Sequence, residues 1–310
     1  MITDIPGIKV GHYTDEKNIT GCTVILCPPH TVASCDVRGS SPGSRELVSL
    51  APDKQIQEIH AILLSGGSAF GLGAANGVMQ YLVEHGIGYK TPWATVPIVP
   101  SAIIFDLNIG SSKIFPTSEH AYFACEQASA QFEQGSVGAG TGAVVGKWNG
   151  FDRAMKGGIG SASITIGNVI VGAVAVVNAV GDVVGKDGNI IAGASVNGEH
   201  FSNEDRLKSF TSEHLLARNT NTTLVVIASN VKLNKVDTYR VAQRGHDGMA
   251  RAIIPCHTTF DGDVTFALST GAVSAPIDLV AEMGAEAASE AVRNAVRFAR
   301  GRGGVRGLTD

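Results

Sequence analysis

The sequence predicts an α/β fold in which β-sheets are covered by helices, rather than a plain doubly wound fold. Helical and strand patterns are intermixed along the chain, and several connections resemble hairpins. Apolar residues make up 44% of the 310 positions and charged residues 17%, so a substantial core can form. The 38 glycines indicate tight turns and close backbone packing, because a net charge of only −4 argues against disorder and no three-residue glycine repeat indicates collagen.

Two strands and two helices are predicted in the first part of the chain. Each strand is a short apolar run, and each helix places apolar residues three or four positions apart. Pro28 ends the first strand, and Gly86 stands where a glycine caps the end of a helix. In chain order the elements are a strand at 21–27, a strand at 61–64, a helix that contains Leu72 and Leu82, and a helix from about 118 to 134.

The second part of the chain predicts a hairpin, two strands and two helices. The hairpin turns at Gly167-Asn168, and a polar stretch rich in Gly, Asn and Ser follows it at 181–221, which is predicted to be mobile. Pro276 fits the first turn of the last helix. In chain order the elements are the hairpin at 163–177, a strand at 224–228, a helix from about Asn234 whose apolar side includes Met249 and Ile253, a strand at 264–268, and a helix from about 274.

Charge, hydropathy and cysteine content exclude several classes of protein. With 24 basic and 28 acidic residues there is no basic surface for nucleic acid, and no apolar run reaches the ~18 residues of a membrane helix. The start of the sequence does not resemble a signal peptide, so a cytoplasmic location is expected. The five cysteines include no CxxC pair, and no His/Cys cluster has ligand spacing, so reduced thiols and no metal site are expected.

Two glycine-rich segments could line a binding cleft. Gly138-Ala-Gly140-Thr141-Gly142-Ala143 formally fits the dinucleotide fingerprint, but a helical pattern precedes it and no acidic residue follows at the required distance, which favours a tight turn. Gly66-Gly67-Ser68 lacks the last glycine of a nucleophile elbow. It is either a simple turn between strand and helix or a loop whose backbone N–H groups face a ligand.

Several polar residues stand beside predicted strands, and each has an ordinary interpretation when taken alone. Thr222 lies where the polar stretch meets a buried strand, and Asp261-Gly262-Asp263 is typical of a surface turn, although two carboxylates could also orient a nucleophile. Lys156 precedes glycines and is typical of a solvated loop. No Ser/His/Asp arrangement follows from spacing, and His246 and His257 are typical of structural histidines.

Taken together, these segments and their order resemble one protein family. The matching stretches are Asp36-Val-Arg-Gly39, Leu64-Ser-Gly-Gly-Ser-Ala-Phe-Gly-Leu72, Phe105-Asp-Leu107, Val137-Gly-Ala-Gly-Thr-Gly142, Lys156-Gly-Gly-Ile-Gly160, Val176-Val-Asn178, Asn221-Thr-Thr-Leu224 and His257-Thr-Thr-Phe-Asp-Gly-Asp263. Each motif is weak alone, but they span almost the whole chain in a specific order. The sequence resembles the DmpA/P1 family of self-processing aminopeptidases and amide hydrolases.

The resemblance implies a fold and a maturation step. The fold would be a four-layer αββα sandwich, similar to that of the ornithine acetyltransferases, formed as a single catalytic domain over 1–310. Family members cut themselves before a Ser or Thr, which matches Thr222 here. Cleavage of the Asn221–Thr222 bond would give chains 1–221 and 222–310, of 221 and 310 − 221 = 89 residues.

The resemblance also implies roles for individual residues. Thr222 would be the nucleophile, and its new α-amino group, with a reference pKa near 7.7–8.0, would be the base. Asp261 and Asp263 match positions that orient the nucleophile, Asn178 matches an oxyanion-stabilising asparagine, and Lys156 matches a lysine near the nucleophile in Thr-type members. The expected cleft residues are Gly66, Gly67, Ser68, Gly140 and Thr141.

The expected substrates are small amides or peptides, and no cofactor is implied because nucleophile and base come from one residue. A threonine nucleophile with an aspartate pair is most similar to the hydrolases of 6-aminohexanoate (nylon) oligomers. Acyl transfer of the ornithine-acetyltransferase type is an alternative, and a nucleotide or small-molecule binder that uses the glycine loops is another. Family members assemble from processed pairs, which predicts a homo-oligomer such as a tetramer, without nucleic-acid or membrane partners.

Overall fold

Two five-stranded sheets lie face to face in the computed structural model, which describes residues 1–210 and 221–310. The described strands are β1 (Lys9–Asp15), β2 (Thr20–Leu26), β3 (Val32–Val37), β4 (Ser44–Arg45), β5 (Ala61–Ser65), β6 (Tyr89–Lys90), β7 (Thr95–Val96), β8 (Ser101–Ile103), β9 (Val144–Val145), β10 (Met155–Lys156), β11 (Gly158–Ile166), β12 (Val169–Asn178), β13 (Asp182–Val184), β14 (Ile190–Ala192), β15 (Ser195–Val196), β16 (Glu199–His200), β17 (Thr222–Val231), β18 (Ile253–Ile254) and β19 (Val264–Val273). The described α-helices are α1 (Ala75–Glu84), α2 (Ser118–Glu126), α3 (Asn203–Ser209), α4 (Lys235–Ala250) and α5 (Ile277–Arg297).

Each large sheet contains one parallel pair in an otherwise antiparallel order. The first sheet has the order β1-β2-β5-β8-β4, and β5 runs parallel to β8. The second has the order β11-β12-β17-β19-β3, and β17 runs parallel to β19. Because parallel strands start at the same edge, Asn221, which precedes β17, lies beside Asp261, which precedes β19.

Successive side chains of the central strand β17 point to opposite faces of its sheet, so each face packs against a different layer. Leu224 and Val226 point into the core between the two sheets, whereas Val225 and Ile227 point outwards against α4 and α5. On the far side, α1 and α2 cover the outer face of the first sheet, where Leu63 packs among helix residues. The resulting order of helices, sheet, sheet and helices confirms the four-layer αββα sandwich.

Glycine lets α5 approach the second sheet closely. An added Cβ at Gly160 of β11 would lie 2.2 Å from the Ala291 carbonyl oxygen and 2.2 Å from the Ala295 nitrogen, both in the α5 backbone. A side chain does not fit at such distances, so this contact between strand and helix depends on glycine. The close backbone packing that the glycine content indicated therefore occurs between β11 and α5.

The elements agree in type with most of the sequence predictions, but some of their bounds differ. Leu72, predicted in the first helix, lies in a 3-10 helix at Ser68–Ala74, directly before α1. The hairpin turns at Gly167-Asn168 as predicted, between β11 and β12. The helix predicted over 118–134 ends at Glu126, because Ser129 pairs instead with Val10 through two backbone hydrogen bonds of 3.0 Å. Ile253, predicted on a helix face, lies in β18, which pairs with β13.

The polar stretch at 181–221 carries regular structure over much of its length. It contains β13, β14, β15, β16 and α3 as far as Ser209. The prediction of mobility for the rest of the stretch concerns residues 211–220, which lie outside the described residues. Across the described ranges, no helix combines the length and the apolar character that crossing a bilayer requires.

Candidate active site

Thr222 begins β17 and lies directly opposite Asn178, the last residue of β12. Its side chain is buried, with only 4% of the residue exposed. The hydroxyl Oγ1 donates a hydrogen bond of 2.5 Å to the carbonyl oxygen of Asn221. The hydroxyl is therefore held beside the carbonyl of the peptide bond that joins Asn221 to Thr222.

The turn Asp261-Gly262-Asp263, which precedes β19, packs against Thr222. The Gly262 nitrogen donates to the Asn221 carbonyl oxygen at 2.9 Å, and Asp263 Oδ1 accepts from the Thr223 nitrogen at 2.6 Å. A Cβ on Gly262 would lie 2.9 Å from Thr222 Oγ1. Both carboxylates are buried, so the interpretation of this segment as a surface turn is wrong.

The two carboxylates have different neighbours. Asp261 Oδ2 accepts hydrogen bonds from the Thr258 nitrogen at 3.0 Å and from Thr258 Oγ1 at 2.6 Å. Burial, and then the negative charge of Asp263, raise the pKa of Asp261 to about 6. The second oxygen of Asp263, Oδ2, lies 2.7 Å from Nδ1 of His257. His257 is therefore part of the site, although its spacing in the sequence was typical of a structural histidine.

The side chain of Asn178 is fixed on both sides of its amide. Oδ1 accepts from the Val144 nitrogen at 3.0 Å and from Lys147 Nζ at 2.9 Å, while Nδ2 donates to the Phe105 carbonyl oxygen at 3.0 Å. These contacts join β12, which ends at Asn178, to β9, to Lys147 just after β9, and to the segment after β8 that contains Phe105. The amide is thus held in one orientation beside Thr222.

Lys147 is a functional candidate that the sequence reasoning missed. It is buried, with 3% exposed, and Nζ donates to both the carbonyl oxygen and Oδ1 of Asn178 at 2.9 Å. Burial lowers the pKa of Lys147 to about 7, with Asp261 opposing the shift and Lys156 adding to it. The available signal was a single charged residue inside an apolar, glycine-rich run.

Lys156 is also buried but contacts a different part of the site. Its Nζ donates to the carbonyl oxygens of Thr141 at 2.8 Å and Ala143 at 2.6 Å. The interpretation as a solvated loop residue is therefore wrong. Lys156 holds the segment with Gly140 and Thr141 in place, whereas the lysine that contacts Asn178 is Lys147. Burial lowers the pKa of Lys156 to about 7 as well.

The Gly66-Gly67-Ser68 loop is joined to this region through Asp106. The Gly67 nitrogen donates to Asp106 Oδ1 at 2.7 Å, and Thr20 Oγ1 donates to Oδ2 at 2.7 Å. A Cβ on Gly66 would lie 2.1 Å from Asp106 Oδ2, so this close approach requires glycine. Since Phe105, the preceding residue, contacts Asn178, the loop supports the site from the first sheet.

Three potential metal ligands meet at the edge of the site. The ligand atoms of Cys256, His257 and Asp263 all lie within 4.8 Å of one another. Spacing in the sequence did not predict this cluster, because only two of its members are neighbours in the chain. The turn before β19 brings the third, Asp263, back to the other two.

Comparisons with known proteins agree on one family. The family model described as Peptidase family S58 matches residues 1–309. An uncharacterized aminopeptidase of Mycobacterium tuberculosis is 42% identical over 291 residues, covering 89% of this chain and 83% of that protein. A 6-aminohexanoate-oligomer endohydrolase of Kocuria sp. is 34% identical over 279 residues, covering 88% and 76%. The solved L-aminopeptidase D-Ala-esterase/amidase of Ochrobactrum anthropi, an Ntn-hydrolase variant, has a TM-score of 0.74 at 19% identity, covering 96% and 86%, and supports the fold.

Proposed function

Because this chain belongs to peptidase family S58 and is therefore a hydrolase of amide or peptide bonds, we propose that it cleaves itself before Thr222 and then uses Thr222 as its nucleophile. The observation that carries the proposal is the contact between Thr222 Oγ1 and the Asn221 carbonyl oxygen at 2.5 Å. A nucleophile already beside the bond that it must attack needs little rearrangement.

In the maturation step, Thr222 Oγ1 attacks the carbonyl carbon of Asn221. The C–N bond breaks, the hydroxyl proton passes to the leaving nitrogen, and an ester joins Asn221 to the Thr222 side chain. Water then hydrolyses the ester and leaves a carboxylate on Asn221 and a free amine on Thr222. Lys147 supports this step as a base, because its lowered pKa leaves much of its amine unprotonated near neutral pH.

In turnover, the free α-amine of Thr222 takes the hydroxyl proton as Oγ1 attacks the substrate amide carbonyl. The proton is passed to the leaving amine, and water releases the acyl group from Oγ1. Asp263 holds the Thr223 N–H and so fixes the start of the strand. We assign oxyanion stabilisation to the Asn178 amide, a contribution of about 3 kcal/mol for such a donor.

The proposed substrates are short amides: amides of N-terminal amino acids, β-peptides or oligomers of 6-aminohexanoate. The names of the relatives support this range, since they include an aminopeptidase and a 6-aminohexanoate-oligomer endohydrolase. The threonine nucleophile and the aspartate pair favour the last class. Those hydrolase names favour hydrolysis over acyl transfer and over a purely binding role. We place the protein in the cytoplasm as a homo-oligomer of processed pairs.

Intact-mass measurement and N-terminal sequencing of the purified protein test the proposal. We expect two chains of 221 and 89 residues, the second starting at Thr222. The variant Thr222→Ala should remain one chain and be inactive on an amide panel with α-, β- and ε-linked amines. Thr223→Ser, a change at the neighbouring buried threonine, is the matched control and should still be processed. A wild-type protein that stays uncut while hydrolysing amides would overturn the mechanism.

A further inference from the structure

We propose that Cys256, His257 and Asp263 form a binding site for a thiophilic divalent cation such as Zn²⁺, at the edge of the active site. A thiol, an imidazole and a carboxylate are together the ligand types that zinc takes in proteins. The three come from the short connection between β18 and β19, and their ligand atoms lie within 4.8 Å of one another.

Two of the three distances within the cluster suit one ion, and a rotation of the His257 ring would complete the arrangement. Cys256 Sγ lies 3.5 Å from His257 Nδ1, 3.6 Å from His257 Nε2 and 3.8 Å from Asp263 Oδ2, so the ring must turn to direct Nδ1 at a shared ion. Tetrahedral zinc places sulfur and nitrogen ligands about 3.5 Å apart, given bond lengths near 2.3 and 2.0–2.1 Å. The remaining pair, His257 Nδ1 and Asp263 Oδ2, is closer at 2.7 Å, because a hydrogen bond now occupies the place that the ion would take.

The two carboxylate oxygens of Asp263 have different partners, and one of them is placed to bind an ion. Oδ1 accepts from the Thr223 nitrogen, whereas Oδ2 faces His257 and Cys256. Binding through Oδ2 therefore keeps the contact to β17. The cluster is reached through His257, whose side chain is 18% exposed, while that of Asp263 is only 2% exposed.

A second histidine beside the cluster has an unused polar atom. His246 is fully buried, and its ring meets that of His257 edge-on with 4.7 Å between centroids. Nε2 of His246 lies 3.0 Å from the Asp36 carbonyl oxygen, but Nδ1 has no hydrogen-bond partner within the part of the chain described. Zinc sites with three protein ligands keep a water as the fourth, and such a water could satisfy a buried nitrogen of this kind.

Ion binding exchanges protons for metal. The Cys256 thiol loses its proton to solvent as the sulfur–zinc bond forms, and His257 Nδ1 gives up any proton that it carries.

The test measures binding separately from activity. Metal-free wild-type protein and the Thr222→Ala variant are titrated with ZnCl₂ by calorimetry. A second titration with CoCl₂ is followed by absorption, because a thiolate bound to cobalt gives a charge-transfer band. We expect both proteins to bind zinc and to show the band, and we expect Mg²⁺ not to compete, because thiolate ligands select against hard cations. Absence of zinc binding or of the band in wild type would overturn the site.

Two cysteine variants locate the site. Cys256→Ser should weaken zinc binding at least about tenfold and lose the cobalt band. Cys27→Ser, a change at another half-buried thiol, is the matched control and should bind as wild type. His257→Gln gives a second test if Cys256→Ser does not fold. Unchanged zinc affinity in either cluster variant would show that the ion binds elsewhere.

Discussion

Lys147 and Lys156 are both buried, but their side-chain nitrogens bind to different parts of the site. Lys147 donates to Asn178, which faces Thr222 across the sheet, whereas Lys156 donates to the carbonyl oxygens of Thr141 and Ala143. Burial lowers the pKa of each to about 7. In the proposed mechanism, Lys147 is therefore the base, and Lys156 holds the segment that contains Thr141.

We expect Lys147→Met to slow self-cleavage by about 10²–10⁴-fold, the usual contribution of a general base. In wild type, the cleavage rate should fall as the pH drops through about 7, because protonated Lys147 cannot accept a proton. The variant should lose this dependence. The measurement is the rate at which freshly refolded precursor is converted, followed by gel or mass spectrometry between pH 5 and 9.

An exposed lysine provides the control for this prediction. Lys186→Met removes an ammonium group that pairs with Glu286 at the surface, and it should leave cleavage unchanged. If Lys147→Met matures at the rate of Lys186→Met, Lys147 is not the base.

Gly262→Ala should reduce hydrolysis by about 10²-fold, the usual effect of a displacement of about 1 Å at a reacting group. The new Cβ would lie 2.9 Å from Thr222 Oγ1 and 2.5 Å from the Ser41 carbonyl oxygen, so the hydroxyl or the turn must move. Gly73→Ala adds the same methyl where no atom lies within 4 Å, and it should keep activity within about twofold. Equal activity of the two variants on one amide substrate would contradict this geometry.

The resemblance drew together candidate residues that belong to recognisable motifs, whereas Lys147 belongs to none of them. Thr222, Asp261, Asp263 and Asn178 meet in the fold, as the resemblance implied. Lys147 stands outside the quoted motifs, and its contact with Asn178 joins residues 31 positions apart. No local pattern encodes that distance, because it depends on how two strands and a loop pack.

Apolar runs predicted the centres of strands but not their ends. The strand predicted at 224–228 extends over Thr222–Val231, since its polar ends are paired inside the protein. Thr223 donates its N–H to Asp263, and Asn230 Oδ1 accepts from the Ile170 nitrogen at 2.9 Å. Hydropathy cannot detect a buried polar residue whose partner lies in another element.

Gly160→Ala should lower the free energy of unfolding by about 1–3 kcal/mol, because the α5 backbone lies 2.2 Å from the position of the added Cβ. Gly284 lies in α5, the helix that packs against Gly160. A Cβ added at Gly284 would meet only side-chain methyl groups, the nearest at 3.3 Å. The cost of Gly284→Ala should be offset by the gain in helix propensity of about 1 kcal/mol. Denaturant unfolding of both variants measures the difference, and a Gly160→Ala protein as stable as wild type would contradict the close contact.

The proposed cut would divide the second sheet between two chains that share its core. The segment 222–310 carries β17 and β19, and these lie between β12 and β3, which belong to the segment 1–221. The core between the sheets is shared as well, since Leu224 and Phe266 pack with Ile25 and Ile62. Each segment alone would leave strand edges and apolar faces exposed.

We therefore expect the two chains of the processed protein to stay together under native conditions. Native mass spectrometry should give a complex that contains both chains in equal number, and the chains should separate only in denaturant. An uncut Thr222→Ala protein provides the reference for size and thermal midpoint. Separate elution of the 89-residue chain at neutral pH would show that the shared sheet does not hold the pair.

The position of β17 and β19 inside the other segment's sheet has a consequence for renaturation. Before the cut, the chain regains its structure at a rate that does not depend on protein concentration, because both segments are tethered. After the cut, the same structure requires an encounter between two molecules, and mass action makes recovery weaker on dilution. The lifetime of the mature protein would therefore depend on slow unfolding. Once its two chains had separated in a dilute solution, they would seldom reassemble.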